Sequence, residues 1–218
     1  MIKAVIFDMD GVLINSEPMW QEAEKIAFAR VGIHLTTAEC AETMGMRCDE
    51  VVKIRYRKQP WQGKSLQEME QDIIEELVKQ IQEKGEPTEG VSYIVNFFKR
   101  KHIRLALASS SAFHIIDATL QKLNLLDVFE AIHSAEVEEY GKPHPAIYLT
   151  TLRKLDLSPE EAVAIEDSFN GLLAAKSARL KTVCIPEKND FAATKYDIAD
   201  LKLHSLAEFD EEHWRRLN

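Results

Sequence analysis

The chain has 218 residues, of which 45% are hydrophobic and 29% charged, a balance that excludes a disordered tail, a collagen-like fibre and a disulfide-scaffolded miniprotein. Its length suits one domain of moderate size or two small ones. The formal charge of −9, without any Lys/Arg block, argues against nucleic acid as a partner, and no apolar run approaches the roughly 20 residues that cross a bilayer, so no membrane partner is expected.

In chain order, the first apolar run is residues 2–7 (IKAVIF), which ends on Asp8. Within MIKAVIFDMDG this stretch is short and runs straight into two acids, which is not the pattern of a signal peptide. From 16 to 85 the composition shifts to Glu, Gln, Lys and Met with helical spacing and no convincing strand. There Leu66, Met69, Ile73, Leu77 and Ile81 mark one face of an amphipathic helix. An α-helical module is therefore expected between the first strand and the Pro- and Gly-containing linker at 86–90 (EPTEG). Three more strand-like runs follow, at 103–108 (IRLALA), 162–165 (AVAI) and 182–185 (TVCI), separated by helical patterns at 92–101, 113–123, 147–155 and 169–178. Short apolar runs alternating with helices predict βαβ units and a parallel sheet, an α/β fold. Cys40, Cys48 and Cys184 are odd in number and form no C-x-x-C pair, so they are expected as reduced thiols of a cytoplasmic protein.

In parallel α/β sheets ligands collect at the carboxyl ends of the strands. The strands deliver there Asp8 and Asp10, then Ser109, Ser110 and Ser111, then Glu166 and Asp167, and Lys142 joins them from the loop Gly141-Lys142-Pro143. Each piece has an ordinary reading: Asp-x-Asp-Gly as a turn, a strand-end Ser or Asp as a helix N-cap, Glu166 as a solvated strand end, Lys142 as a surface lysine. Their joint placement at one sheet edge favours a site. Packed carboxylates repel unless they are protonated or bridged by a cation, and oxygen ligands without a His/Cys cluster point to Mg²⁺.

These residues also carry a family resemblance. DMDGV at 8–12, LASSS at 107–111, the Lys142-Pro143 loop and IEDSFNG at 165–171 resemble, in order, the four motifs of the haloacid dehalogenase superfamily, and the helical module sits where that family places a small cap. The stretches NSEPMW (15–20), MGMRCD (44–49), QPWQGKS (59–65) and 164–171 are similar to a bacterial subgroup of phosphatases acting on hexitol phosphates and 2-deoxyglucose 6-phosphate. The resemblance implies a doubly wound, Rossmann-like core of residues 1–15 and 86–218 with residues 16–85 as an inserted helical cap. It also implies Mg²⁺-dependent hydrolysis of a small phosphorylated sugar by a monomer or dimer. Asp8 would be the nucleophile and Asp10 the general acid and base. Mg²⁺ would be held by Asp8, Asp167 and the Asp10 backbone carbonyl, with Glu166 behind them or joined through water. Ser109, Ser110 and Lys142 would hold the phosphoryl oxygens.

Asp10 separates subclasses, because a halide leaving group needs no proton whereas a sugar alkoxide does. Two other readings stay open: a β-phosphoglucomutase-like mutase, which carries a His where this chain has Trp20, and a phosphosugar-binding protein without useful turnover. In the cap, Met44-Gly45-Met46-Arg47 is the expected substrate loop, with Arg47 offering a planar donor fork; the alternative is a helix–helix turn with a solvated Arg. Trp20 and Glu17 either face the cleft from the hinge or pack within the cap.

Overall fold

All four residues of the first strand, β1 (Ala4–Phe7), are buried, because helices cover both faces of the sheet to which it belongs. The computed structural model describes residues 1–218. Val5 and Phe7 point into one apolar cluster, whereas Ala4 and Ile6 point into another, on the opposite face. This is the alternation of a pleated strand, which a continuous apolar run satisfies on both sides.

After β1 come four helices without an intervening strand: α1 (Glu17–Ala29), α2 (Thr37–Ala41), α3 (Cys48–Lys58) and α4 (Leu66–Lys84). Helix α4 opens on a capping box in which Ser65 and Glu68 satisfy each other's backbone N–H groups. The expected face of α4 is buried, with Met69, Ile73, Leu77 and Ile81 all at 0% exposure. Beyond it lie α5 (Val91–Arg100), β2 (Arg104–Ser109), α6 (Phe113–Lys122), β3 (Ala131–Ser134), α7 (Ala146–Leu155), β4 (Ala162–Glu166), α8 (Phe169–Ser177), β5 (Lys181–Cys184), β6 (Leu201–Lys202) and α9 (Glu211–Leu217).

The six strands are all parallel, in the order β3-β2-β1-β4-β5-β6, so the chain winds outward in both directions from the β1/β4 junction. This is the doubly wound α/β arrangement expected from the sequence. One face carries large side chains, including Phe7, Leu107 and Ile165, under α5, α6 and α9. The other is lined by Ala4, Ala106, Ala108, Ala162 and Ala164, and these small residues let α7 and α8 lie close. The first cluster continues without a break into the insert through Leu13, Ile14, Met19, Phe28 and Ile73. No helix is long and apolar enough to cross a membrane.

Strands β3 and β6 are absent from the sequence expectation. Residues 131–134 read AIHS, with a buried polar His133, and β6 has two residues. Neither is long enough to show a period; pairing to β2 and β5 creates them.

Candidate active site

Register places the first acid. Phe7 pairs with Leu107 on one side and Ile165 on the other, so Asp8 emerges beside Glu166 at the β1/β4 junction, where the winding reverses and a crevice opens. Lys142, in the loop before α7, reaches into this crevice with its Nζ 2.9 Å from Asp8 Oδ1 and 2.6 Å from Glu166 Oε1. It also donates to the Ala108 carbonyl at 3.3 Å. The Tyr148 hydroxyl on α7 donates to the same Glu166 oxygen, and Ser168 donates to the other at 3.5 Å. Glu166 is thus fully buried with both oxygens engaged.

Asp8, Glu166 and Asp167 each bring a carboxylate oxygen within 4.8 Å of the others. Burial and the neighbouring Glu166 push Asp8 up to about 7 despite the pull of Lys142. Burial, followed by repulsion from Asp8 and Glu166, holds Asp167 well above the carboxylate range. Burial alone would lower Lys142, but its two carboxylate neighbours outweigh that and raise it, so the ammonium stays charged. One ammonium against three buried carboxyls leaves an excess of negative charge, and every donor is oxygen. That donor set fits a hard divalent cation such as Mg²⁺, whose charge returns raised carboxyls to the ionised form.

Two glycines permit this crowding. A Cβ on Gly11, which has φ +73°, would fall 1.9 Å from Asp167 Oδ2, and one on Gly171 would fall 2.0 Å from Glu166 Oε2.

Asp10 sits in a different environment. Its Oδ1 accepts from Ser16 Oγ at 2.5 Å and Trp20 Nε1 at 3.1 Å, and its Oδ2 accepts from Ser111 Oγ at 2.7 Å. Ser16 is the N-cap residue of α1, yet its side chain makes no capping bond, because that hydroxyl is turned to Asp10. Three donors from two chain segments, the start of α1 and the loop after β2, fix the carboxyl's orientation, with no ammonium beside it.

The insert closes over these groups and leaves a cavity between insert and core. Trp20 and Glu17 line the cavity, one of the two placements left open by the sequence, and so do Met44, Gly45 and Met46. Arg47 does not. Its guanidinium donates to the Ala135 and Glu138 carbonyls of the core at 3.0 and 2.7 Å and to Asp49 Oδ2 at 3.0 Å. It is neither a substrate fork nor a solvated turn residue here but a latch between insert and core. Two further latches flank it, Ser110 Oγ to the Gly45 carbonyl at 3.1 Å and Asn170 Nδ2 to the Met44 carbonyl at 3.2 Å.

Ser110 and Ser111 line the cavity with Asp8, Asp10 and Asp167, whereas Ser109 is fully buried behind them and accepts from the Ser111 N–H at 3.0 Å. Asp-x-Asp-Gly does form a turn, with Gly11 at φ +73°, but the other ordinary readings do not hold. Helix α6 is capped at Ala112 and α8 at Ser168, so neither the serines nor Asp167 serve as caps. Lys142 is 2% exposed and Glu166 is 0% exposed. Sequence reasoning missed Ser16, Tyr148 and Ser168 as supports of the site, and Glu24 and Thr43 as cavity residues. Ser16 and Ser168 are the N-cap residues of α1 and α8 and Tyr148 is a buried residue of α7, so only the spatial contact distinguishes them. The three thiols are all free and buried.

Comparison with known proteins agrees with this geometry. A family model described as haloacid dehalogenase-like hydrolase matches residues 5–185. Hexitol phosphatase B of Escherichia coli is 39% identical over 208 residues, 95% of this chain and 94% of that protein. A phosphorylated carbohydrates phosphatase of Thermotoga maritima is 34% identical over 182 residues, 84% of each chain. Among solved structures, CbbY from Rhodobacter sphaeroides in complex with phosphate superposes with a TM-score of 0.85 at 30% identity, covering 95% of this chain and 96% of that one.

Proposed function

The chain belongs to the haloacid dehalogenase-like hydrolases and is a phosphoric monoester hydrolase, and on that premise we propose that it hydrolyses hexose or hexitol phosphates through an aspartyl-phosphate on Asp8. The observation that carries this reading is the contrast between two carboxyls on one loop. Asp8 is buried against Lys142 and the acidic cluster, while Asp10 is held apart by Ser16, Trp20 and Ser111. Two carboxyls in unlike environments suit two unlike roles.

In the first step an Asp8 carboxylate oxygen attacks phosphorus, the P–O bond to the sugar breaks, and the leaving alkoxide takes a proton from Asp10. In the second, a water molecule gives a proton to Asp10 and attacks phosphorus, releasing phosphate and freeing Asp8. Lys142 lies where it can offset charge on the transferring group. Asp8, Asp167 and the Asp10 backbone carbonyl would hold Mg²⁺, which supplies charge neutralisation between phosphate and carboxylate. Residues 16–85 act as a cap whose closure excludes water from the first step and whose opening admits it for the second. A hydrogen-bonding Trp20 on Asp10, in place of a mutase-type His, favours hydrolysis over isomerisation. Buried free thiols favour a reducing, cytoplasmic setting.

The test is phosphate release from a panel of hexose and hexitol phosphates, 2-deoxyglucose 6-phosphate among them, with Mg²⁺ and with EDTA. We expect release with Mg²⁺ and at least a roughly hundredfold loss in EDTA. Isomerisation of a sugar phosphate with a bisphosphate primer and no net release would replace the reading with the mutase.

A further inference from the structure

Glu24, one turn beyond Trp20 on α1, lines the same cavity and is 7% exposed, and its Oε2 has no hydrogen-bond partner. A buried carboxyl oxygen without a partner is costly and calls for an explanation. The Cys40 thiol hydrogen-bonds the Glu24 carboxyl weakly and Arg55 attracts it, but neither satisfies Oε2, and Arg55 Nε is itself unpartnered. Thr43 hydroxyl donates to the Cys40 carbonyl at 3.1 Å and accepts from Arg55 Nη2 at 3.3 Å. Arg55 is itself turned to the Glu39 carbonyl and to Glu42. The remaining cavity wall around Glu24 is Trp20, Cys40, Cys48 and Val51, which offer little hydrogen bonding. Glu24 is therefore a carboxyl with an unpartnered oxygen on the cap-side wall of a cavity whose other end holds Asp8, Asp10 and Asp167.

Helix geometry sets where it reaches. Ser16, Trp20 and Glu24 share one face of α1 at four-residue steps, so Glu24 stands about 6 Å along the axis from Trp20. Ser16 and Trp20 both touch Asp10, the group assigned to the leaving oxygen. Glu24 continues that line into the region occupied by the rest of the leaving group.

We propose that Glu24 is a specificity-determining residue that hydrogen-bonds a distal hydroxyl of the sugar or polyol leaving group, filling the vacant partnership of its Oε2. The inference rests on the sugar-phosphatase reading above and names the residue that selects a polyol over a smaller or apolar alcohol. Burial, only partly offset by Arg55 and Cys40, pushes Glu24 up to about 7. Such a carboxyl both donates and accepts near neutral pH, which matches a hydroxyl, a group that does both. An ammonium would offer donors alone.

The experiment compares wild type with Glu24→Gln and Glu24→Leu on a hexitol phosphate and on p-nitrophenyl phosphate, with Mg²⁺ present. We expect the ratio of kcat/KM for the hexitol ester over the p-nitrophenyl ester to fall about ten- to a hundredfold in Glu24→Leu, and by less in Glu24→Gln, which keeps an acceptor. An unchanged ratio, whether both rates hold or both fall together, would overturn the assignment. Should Glu24→Leu melt early, the near-isosteric Glu24→Gln carries the comparison alone, and the same ratio decides. Failure of the underlying reading is seen separately: wild type would then hydrolyse p-nitrophenyl phosphate but no hexose or hexitol phosphate, which removes the polyol and this role for Glu24 with it.

Discussion

The floor and the roof of the cavity are built on opposite terms. On the floor, Glu166 has both oxygens engaged, Lys142 bridges two carboxyls, and Asp10 accepts three hydrogen bonds. On the roof, Glu24 has an unpartnered oxygen among thiols and apolar side chains. The difference teaches where chemistry and discrimination reside. A transferring phosphoryl group is the same in every substrate, so its partners can be fixed in advance by strand ends and the loops that follow them. The leaving group varies, and on the proposed reading the part of the site that meets it belongs to a helical insert held by a few latches.

The sharpest way to break this comparison is Asp8→Asn, which removes the group that every substrate needs. Turnover is expected to fall at least about a thousandfold for all substrates alike, with circular dichroism unchanged. Retention of more than a few per cent of kcat would take the nucleophile away from Asp8. Asp10→Asn is expected to cost about a hundred- to ten-thousandfold with a sugar alkoxide as leaving group and much less with p-nitrophenolate, which leaves without a proton. Equal losses on both would argue that Asp10 does not act as the acid.

On the roof, the charge of Glu24 sets a stability difference. Its carboxyl is raised from 4.5 to about 7 in the folded protein by burial and Glu17, against Arg55 and Cys40. The folded state therefore binds the proton more tightly than the unfolded one. That contribution is complete below pH 4.5 and is lost as pH rises through about 7. In EDTA, wild type should lose stability relative to Glu24→Gln between about pH 4.5 and 7, by up to about 3 kcal/mol, and the difference should level off above that. Thermal melts of the two proteins across that range measure it; parallel curves would mean that Glu24 stays ionised.

The smallest effect tests a latch. Arg47→Ala frees the Ala135 and Glu138 carbonyls and weakens closure, so KM should rise a few-fold, about 1 kcal/mol, by the same factor for sugar and p-nitrophenyl esters. A rise confined to the sugar ester would return Arg47 to the substrate-contacting role that its sequence position first suggested.

Legibility in the sequence followed locality. Acids at the ends of short apolar runs, the serine cluster and the lysine loop each lie on a few consecutive residues, and a parallel sheet brings such ends to one edge. The helical insert was equally plain, since α4 carries its period over 19 residues. The carbonyl contacts of Arg47 were not legible, because a donor fork in a glycine-containing loop looks the same whether it meets a phosphate or a main-chain carbonyl. Strands β3 and β6 left no pattern because pairing, not composition, makes them.

The sequence by itself determined the fold class, the acids at the sheet edge and the oxygen-only donor set, because strand patterning and strand-end chemistry are short-range properties. Tertiary structure alone decided who holds whom. Ser111 reaches Asp10 across 101 positions, Tyr148 reaches Glu166 across 18, and Arg47 reaches Glu138 across 91. It also decided that Glu24 faces a cavity rather than a partner. An orphaned oxygen is defined by everything packed around it, and that neighbourhood is assembled from α1, α2 and α3 only when they close over the sheet.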